Sequence, residues 1–187
     1  MSPVLQSPLV DQYLPHYDFK TLHGISLEAT PAQVYQVIMS QNILSSSWNR
    51  ILFRLRGLPS RQITLSQMKE VGFIELGRIK NQEFLLGIVG KFWRPKGFLQ
   101  RLSSEEFRDF EQEGFAKAVW EFHLNPLGPR QTYLSTETRI ECLGPRAKRW
   151  FGLYWATIEP FSSLVRKEFL KAVSRRLKGD EVGIGKM

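Results

Sequence analysis

The 187-residue chain is predicted to fold as a single α+β domain, and three observations support this prediction. Segments with two-residue hydrophobic alternation, which is typical of strands, cluster between residues 73 and 142. The longer helical periodicities lie before and after this block. The composition, with 42% hydrophobic and 24% charged residues, is that of a folded protein. Strands that follow one another, without alternating helices, indicate an antiparallel sheet.

The N-terminal part is predicted to hold one strand and two or three helices. Residues 1–16 contain three prolines, so we expect an irregular arm. Residues 17–27 alternate as a strand does. The sequence Thr-Pro-Ala-Gln at residues 30–33 is a capping box with proline at the first helical position, so a helix begins there. Further helices are predicted from Ser47 and from Thr64.

The central part is predicted to supply the remaining strands, at residues 73–79, 83–93, 116–124 and 133–142. Residues 98–102 are a further candidate strand. Residues 103–106 can cap one helical turn, with a strand as the alternative. In the last strand, Glu137 and Arg139 share one face, where we expect an exposed ion pair rather than a ligand contact.

A long amphipathic helix is predicted from Pro145 to Lys178, because apolar residues recur there every three to four positions. At 1.5 Å per residue it would be about 50 Å long. Pro160 removes a helical hydrogen bond, so we expect a kink or a break. Residues 179–187 are predicted to be a flexible tail, which leaves residues 17–178 as the domain.

Four segments carry a resemblance to a known superfamily. They are Gly-Lys-Phe-Trp-Arg-Pro at 90–95, Gly-Phe-Ala-Lys-Ala at 114–118, Ser-Thr-Glu-Thr-Arg at 135–139, and the helical residues 154–166. With the order of elements, they resemble a bacterial branch of the START-like superfamily, also called SRPBCC or polyketide cyclase/lipid-transport-like. The resemblance covers about residues 17–178.

The resemblance implies a helix-grip fold. In that fold a curved antiparallel sheet wraps around a long C-terminal helix, with short helices after the first strand. It also implies a deep hydrophobic cavity between sheet and helix, which members of the superfamily use for lipids, polyketides, hormones or other apolar molecules. It does not imply one activity.

The expected cavity lining consists of apolar and aromatic side chains, with threonine hydroxyls for polar contacts. The predicted ligand-binding residues are Phe84, Leu86, Trp93, Trp120, Phe122, Thr136, Thr138, Tyr154, Trp155 and Ile158. We expect Trp93, Trp120, Tyr154 and Trp155 to act as one set around the ligand. The alternative for each of them is plain core packing.

Known catalytic and cofactor motifs are absent from the sequence. The three histidines are far apart and there is a single cysteine, Cys142, so no zinc site is expected. We find no nucleophile elbow, phosphate loop or dinucleotide fingerprint, so we expect no cofactor and predict no catalytic residue. The predicted function is therefore binding or transport of a hydrophobic small molecule or lipid. The alternatives are a cyclase/aromatase-type enzyme and a protein-interaction domain with a filled cavity.

The charge is concentrated in the predicted C-terminal helix. The chain has a formal net charge of +8, and residues 145–178 hold nine basic and two acidic side chains. One hypothesis is contact with anionic lipid headgroups; the alternative is a solvated face, and nucleic acid is disfavoured because no binding module accompanies the charge. The residues predicted to make this contact are Arg166, Lys167, Lys171, Arg175 and Arg176. With no signal-like start and no long apolar run, a cytoplasmic location is expected.

Overall fold

The structure is a computed structural model that describes residues 8–43, 64–94 and 97–184. The helix predicted from Ser47 lies outside these residues. The described helices are α1 (Pro8–Tyr13), α2 (Pro31–Ser40), a 3₁₀ helix (Leu65–Val71), α3 (Ser104–Arg108) and α4 (Pro145–Ile184). The described strands are β1 (Phe19–Leu27), β2 (Ile74–Ile79), β3 (Glu83–Gly90), β4 (Ala116–Gly128) and β5 (Gln131–Cys142). The predicted α+β class is confirmed.

The five strands form one antiparallel sheet in the order β1-β5-β4-β3-β2. Residues paired across neighbouring strands project to the same side of a sheet, so the register identifies each face. Thr21 pairs with Thr138, and Thr138 pairs with Trp120. This face lies under α4, which contacts β1, β5, β4 and α2. A sheet covered by a long C-terminal helix is the helix-grip arrangement, so the predicted fold is confirmed.

The segment after β3 corrects the predicted strand boundaries. β3 ends at Gly90 rather than at residue 93, because the Lys91 N–H donates to the Gly97 carbonyl over 2.6 Å and the chain turns. Residues 98–102, a candidate strand in the sequence, lie outside the sheet. Ser103 caps α3 as predicted, with its hydroxyl accepting from the Glu106 N–H and the Glu106 carboxylate accepting from the Ser103 N–H.

The N-terminal segment is more ordered than the predicted irregular arm. Helix α1 begins at Pro8, where proline is favoured because the first helical N–H needs no partner. Val10 and Leu14 have no exposed area and pack against the convex face of the sheet, opposite to α4. Pro8 is the first residue of the helix and Pro15 lies beyond its end, so neither proline interrupts it.

Helix α1 also changes the environment of the Glu137–Arg139 pair. The ion pair predicted from the sequence is present, with Arg139 Nε donating to Glu137. It is buried rather than exposed, because Arg139 also donates to the Asp11 carboxylate and to the Leu14 carbonyl. A guanidinium can serve three acceptors from its five N–H groups. The pair therefore anchors α1 to the sheet.

The C-terminal helix is a single element of 40 residues. Pro160 lies inside it, so the predicted break does not occur. The helix also continues past its predicted end at Lys178, and the first part of the predicted tail is helical to Ile184. Phe151, Phe169 and Val173 point toward the sheet and are at most 2% exposed. Packing of these side chains compensates for the backbone hydrogen bond that proline cannot make.

Candidate functional site

The first apolar group under α4 surrounds Phe151, which is 2% exposed. Its ring centroid lies 5.2 Å from that of Phe19, 5.7 Å from Tyr154 and 5.6 Å from Trp155. The Trp93 ring approaches edge-on at 6.3 Å. We call this group the Phe151 cluster. It joins the N-terminal half of α4 to β1 and to the loop after β3.

A second apolar group lies under the C-terminal half of α4. Phe169, Leu170 and Val173 pack there with side chains from α2, the 3₁₀ helix and the sheet. The Phe122 ring lies 5.5 Å from Phe169 and 4.8 Å from Trp120. We call this group the Phe169 cluster. The two clusters leave a polar band between them, at the middle of both the sheet and the helix.

Arg166 is the centre of this band. It is only 8% exposed, and its guanidinium lies 5.7 Å from the centroid of the Trp120 ring. One terminal nitrogen donates to the Thr138 hydroxyl over 2.6 Å, and the other donates to the Ser162 carbonyl and hydroxyl. A buried cation is costly unless it is hydrogen-bonded, so these contacts hold the guanidinium in one orientation over the sheet.

A chain of three polar side chains lies beside Arg166. The Ser163 hydroxyl donates to the Glu159 carboxylate over 2.6 Å, and His23 Nε2 lies 3.0 Å from the Ser163 oxygen. Because the serine has one hydrogen and gives it to Glu159, Nε2 must carry the hydrogen in its contact with Ser163. Burial lowers the pKa of His23, and the charges of Arg166 and Lys167 lower it further while Glu159 opposes them. The neutral ring then has its lone pair on Nδ1.

Two of the threonine hydroxyls on this face have a hydrogen-bond partner, and a third has none in the described structure. The Thr136 hydroxyl accepts from the Trp120 indole N–H over 2.7 Å, and the Thr138 hydroxyl accepts from Arg166. The hydroxyl oxygen of Thr21, the cross-strand partner of Thr138, is buried and finds no hydrogen-bond partner in the described structure. An unsatisfied buried hydroxyl costs about 1–3 kcal/mol, so a bound polar group there would be stabilising.

The predicted ligand-binding residues fall into three environments. Phe84, Leu86 and Phe122 are buried members of the Phe169 cluster. Trp93, Tyr154 and Trp155 belong to the Phe151 cluster, whereas Trp120 packs against the other cluster, so three of the four aromatic residues come together. Thr136 and Thr138 lie in the polar band, and Ile158 is half-buried on α4. That these residues contact a ligand remains a prediction.

One of the residues predicted to contact an anionic surface, Arg166, is not at the surface. Its side chain is buried against Thr138 and Trp120, because position 166 falls on the sheet-facing side of α4. Lys167, Lys171, Arg175 and Arg176 are exposed. Lys171 and Arg175 lie 3.1 and 3.7 Å from the Glu168 carboxylate.

The polar residues that sequence reasoning missed are His23, Glu159, Ser162 and Ser163. Strand alternation puts His23 on the same side of β1 as Phe19 and Thr21, but nothing nearby in the sequence indicates a partner 140 residues away. The sequence pattern that could have identified these polar residues lies in α4. Residues 159, 162, 163 and 166 interrupt the apolar face of α4 at spacings of three and four, which places several polar groups on the buried side.

A separate groove of about 740 Å³ lies between α2 and the turn joining β2 to β3. It is lined by Ala32, Tyr35, Gln36, Met39, Ser40, Thr64, Arg78, Lys80 and Asn81. It does not coincide with the cavity expected between sheet and α4, and it includes none of the predicted site residues. Within the described residues, no group of three histidine, cysteine or carboxylate side chains has an arrangement that could hold a metal ion.

No protein-family profile matches the chain. No curated protein matches it either. Solved structures similar to it include a protein from Thermus thermophilus, with 11% identity, coverage of 86% of this chain and 98% of that one, and a TM-score of 0.34. They also include the Zhui aromatase/cyclase from a Streptomyces species, with 11% identity, 85% and 95% coverage, and a TM-score of 0.32.

A third similar structure is the di-domain aromatase/cyclase BexL, with 10% identity and a TM-score of 0.31. The likeness covers 86% of this chain and 47% of BexL. Two of these three proteins are described as aromatase/cyclases. At these identities and TM-scores the likeness does not indicate what this chain binds. The helix-grip assignment rests on the strand order and on the contacts of α4.

Proposed function

We propose that this protein binds a hydrophobic small molecule or lipid between the sheet and helix α4, with the polar end of the ligand at Arg166. The observation that carries the proposal is a buried guanidinium that donates to Thr138, whose cross-strand partner Thr21 has an unsatisfied hydroxyl, with apolar clusters on both sides. Burial of the apolar part would supply affinity, at about 25 cal/mol per Å² before ordering costs. The guanidinium and hydroxyl would fix the orientation of a carboxylate or carbonyl group.

Native mass spectrometry of the full chain tests for a bound molecule directly, because a ligand buried in this way should survive purification. Organic extraction and mass measurement would then identify it. We expect an apolar compound with one polar end. Recovery of no ligand from several expression hosts, together with no binding of added apolar probes, would contradict the proposal.

The role of Arg166 is tested with a fluorescent polyene fatty acid and its methyl ester. Arg166→Met keeps much of the side-chain volume but removes the charge, and we expect about 10- to 100-fold weaker binding of the acid, since a hydrogen bond to a charged group is worth about 1.5–3 kcal/mol. Binding of the ester should change much less. Arg175→Met, at an exposed position of the same helix, is the matched control. Equal loss in both variants, or equal loss for acid and ester, would contradict this placement.

A cyclase-type enzyme is the second candidate, and the His23–Ser163–Glu159 chain favours it specifically. A neutral histidine whose Nε2–H is held by a serine–carboxylate pair is a reasonable base for removing a proton next to a carbonyl group. A bound β-dicarbonyl compound would be the test substrate. His23→Gln should abolish its conversion while leaving its affinity largely intact. If wild-type protein binds the compound without converting it, the binding function alone stands.

A further inference from the structure

The outward side of α4 carries an apolar stripe. Trp150, Leu153, Phe161 and Leu164 recur at spacings of three, eight and three residues, which places them on one face of a helix. They are 57%, 61%, 47% and 39% exposed, respectively. This face is opposite to the one that buries Phe151 and Phe169. Large apolar side chains grouped on an exposed surface mark an interaction site, unlike single scattered ones.

Cations flank the stripe at both ends. Arg146 and Arg149 precede it, and Lys167, Lys171 and Arg175 follow it, all at exposed positions of the same helix. Among the described residues, Lys171 and Arg175 share one carboxylate, that of Glu168. The stripe from Trp150 to Leu164 would span about 21 Å at 1.5 Å per residue. It is therefore an apolar strip with a positively charged border.

We propose that this face of α4 docks on an anionic lipid surface, with the helix axis lying in the plane of the membrane. Apolar side chains would enter the boundary between headgroups and acyl chains, and the basic side chains would remain at the lipid headgroups. Each Lys or Arg near an anionic leaflet contributes about 1 kcal/mol of attraction. Trp150 is of the residue type enriched at this depth of a membrane. The proposal does not depend on the ligand-binding proposal.

Lipid is favoured over a protein partner by the charge distribution. Protein interfaces are depleted of lysine at their centre and bury their aromatic residues in pockets of the partner. Here the basic residues lie along the helix at both ends of the strip, which suits an extended negatively charged plane. In the described residues, no helix has a segment apolar enough to cross a bilayer. The proposed contact is attachment of α4 to the surface of a membrane.

Vesicle co-sedimentation of the full chain is the test, with neutral phosphatidylcholine vesicles and with vesicles that also contain phosphatidylglycerol. We expect binding to the anionic vesicles, and weaker binding as salt is added, because exposed charges are screened. Leu153→Glu should reduce the partition coefficient at least ~10-fold, since it removes apolar contact and adds a repelled charge. Phe161→Glu should act in the same way.

The matched control is Leu127→Glu, which places the same charge at an apolar residue that is 44% exposed but lies on the sheet. It should bind anionic vesicles like the wild-type chain. Circular dichroism would show that each variant is folded. No binding of folded wild-type protein to anionic vesicles, or equal binding by Leu153→Glu, would overturn the proposal. A dimer that Leu153→Glu dissociates, with no vesicle binding, would assign the stripe to protein contacts instead.

Discussion

Two histidines on opposite faces of the sheet are both biased toward their neutral forms. Burial lowers the pKa of His23 on the face under α4, and it lowers the pKa of His123 on the convex face. For His123 the negative charge of Glu83 opposes the effect of burial. His123 is 8% exposed, and its Nδ1 finds no hydrogen-bond partner in the described structure. A proton added to this ring would therefore be poorly stabilised.

The lowered pKa of His123 should make the stability of the protein depend on pH. In the unfolded chain His123 titrates near its ordinary pKa of 6.5, whereas in the folded chain its pKa is lower. Below the unfolded pKa the unfolded state binds a proton that the folded state does not, so the free energy of unfolding falls as the pH falls. Urea unfolding at about pH 7.5 and pH 5.5 measures this. We expect a smaller pH-dependent loss in His123→Gln than in the wild-type chain. An identical loss in both proteins would show that His123 is not the group responsible.

The first residues of individual elements could be predicted where their cause is local, although β4 continues to Gly128, past its predicted end at residue 124. Alternation in residues 116–124 and the capping box at Thr30 both act over a few positions, and the structure contains β4 and α2 there. Helix α1 could not be predicted, because Val10 and Leu14 form a helical face only when the sheet covers them. Pro160 is a related case. The backbone hydrogen bond that proline cannot donate would favour the end of the helix there, whereas packing against the sheet maintains α4.

Replacement of Pro160 tests how much this proline lowers the stability of the protein by its position inside α4. Pro160 is exposed in the interior of α4, where proline is about 3 kcal/mol less favourable than alanine. The rigidity that proline gives the unfolded chain offsets about 1 kcal/mol of this. We expect Pro160→Ala to raise the free energy of unfolding by about 1–2 kcal/mol, measured by urea denaturation. Thr157→Ala, three residues away on the same helix, should change it much less. No gain in Pro160→Ala would mean that the helix has adapted fully to the proline.

At the scale of the whole molecule, the candidate site depends on contacts between distant parts of the chain. Thr21 and His23 meet Thr138 and Ser163 because β1 pairs with β5 and α4 crosses both strands. Of these four residues, Thr138 was predicted to line the site. In the sequence Thr21, His23 and Ser163 look like ordinary solvated positions, since strand and helix patterns do not identify which polar group is covered. The apolar contributors were predictable, because their spacing defines a buried face.

Leu14 offers a test of the finding that the N-terminal segment packs on the convex side of the sheet. Leu14 has no exposed area and lies beside α1, so its truncation should leave a cavity against the sheet. We expect Leu14→Ala to lower the free energy of unfolding by about 2–5 kcal/mol. Leu127→Ala, at a residue that is 44% exposed, is the control and should change it by about 0.5 kcal/mol or less. An unchanged stability in Leu14→Ala would restore the interpretation of this segment as an irregular arm.

The pairing of β1 with β5 also determines when the protein can fold during its synthesis. Phe19 pairs with Ile140, which is 121 residues later in the chain. At about 5–20 residues per second, the ribosome needs roughly 6–24 seconds to add that segment. During this interval β2, β3 and β4 can pair as neighbours, whereas β1 has not yet met β5. Nascent chains should therefore expose the concave face, with its aromatic side chains, until α4 has been made.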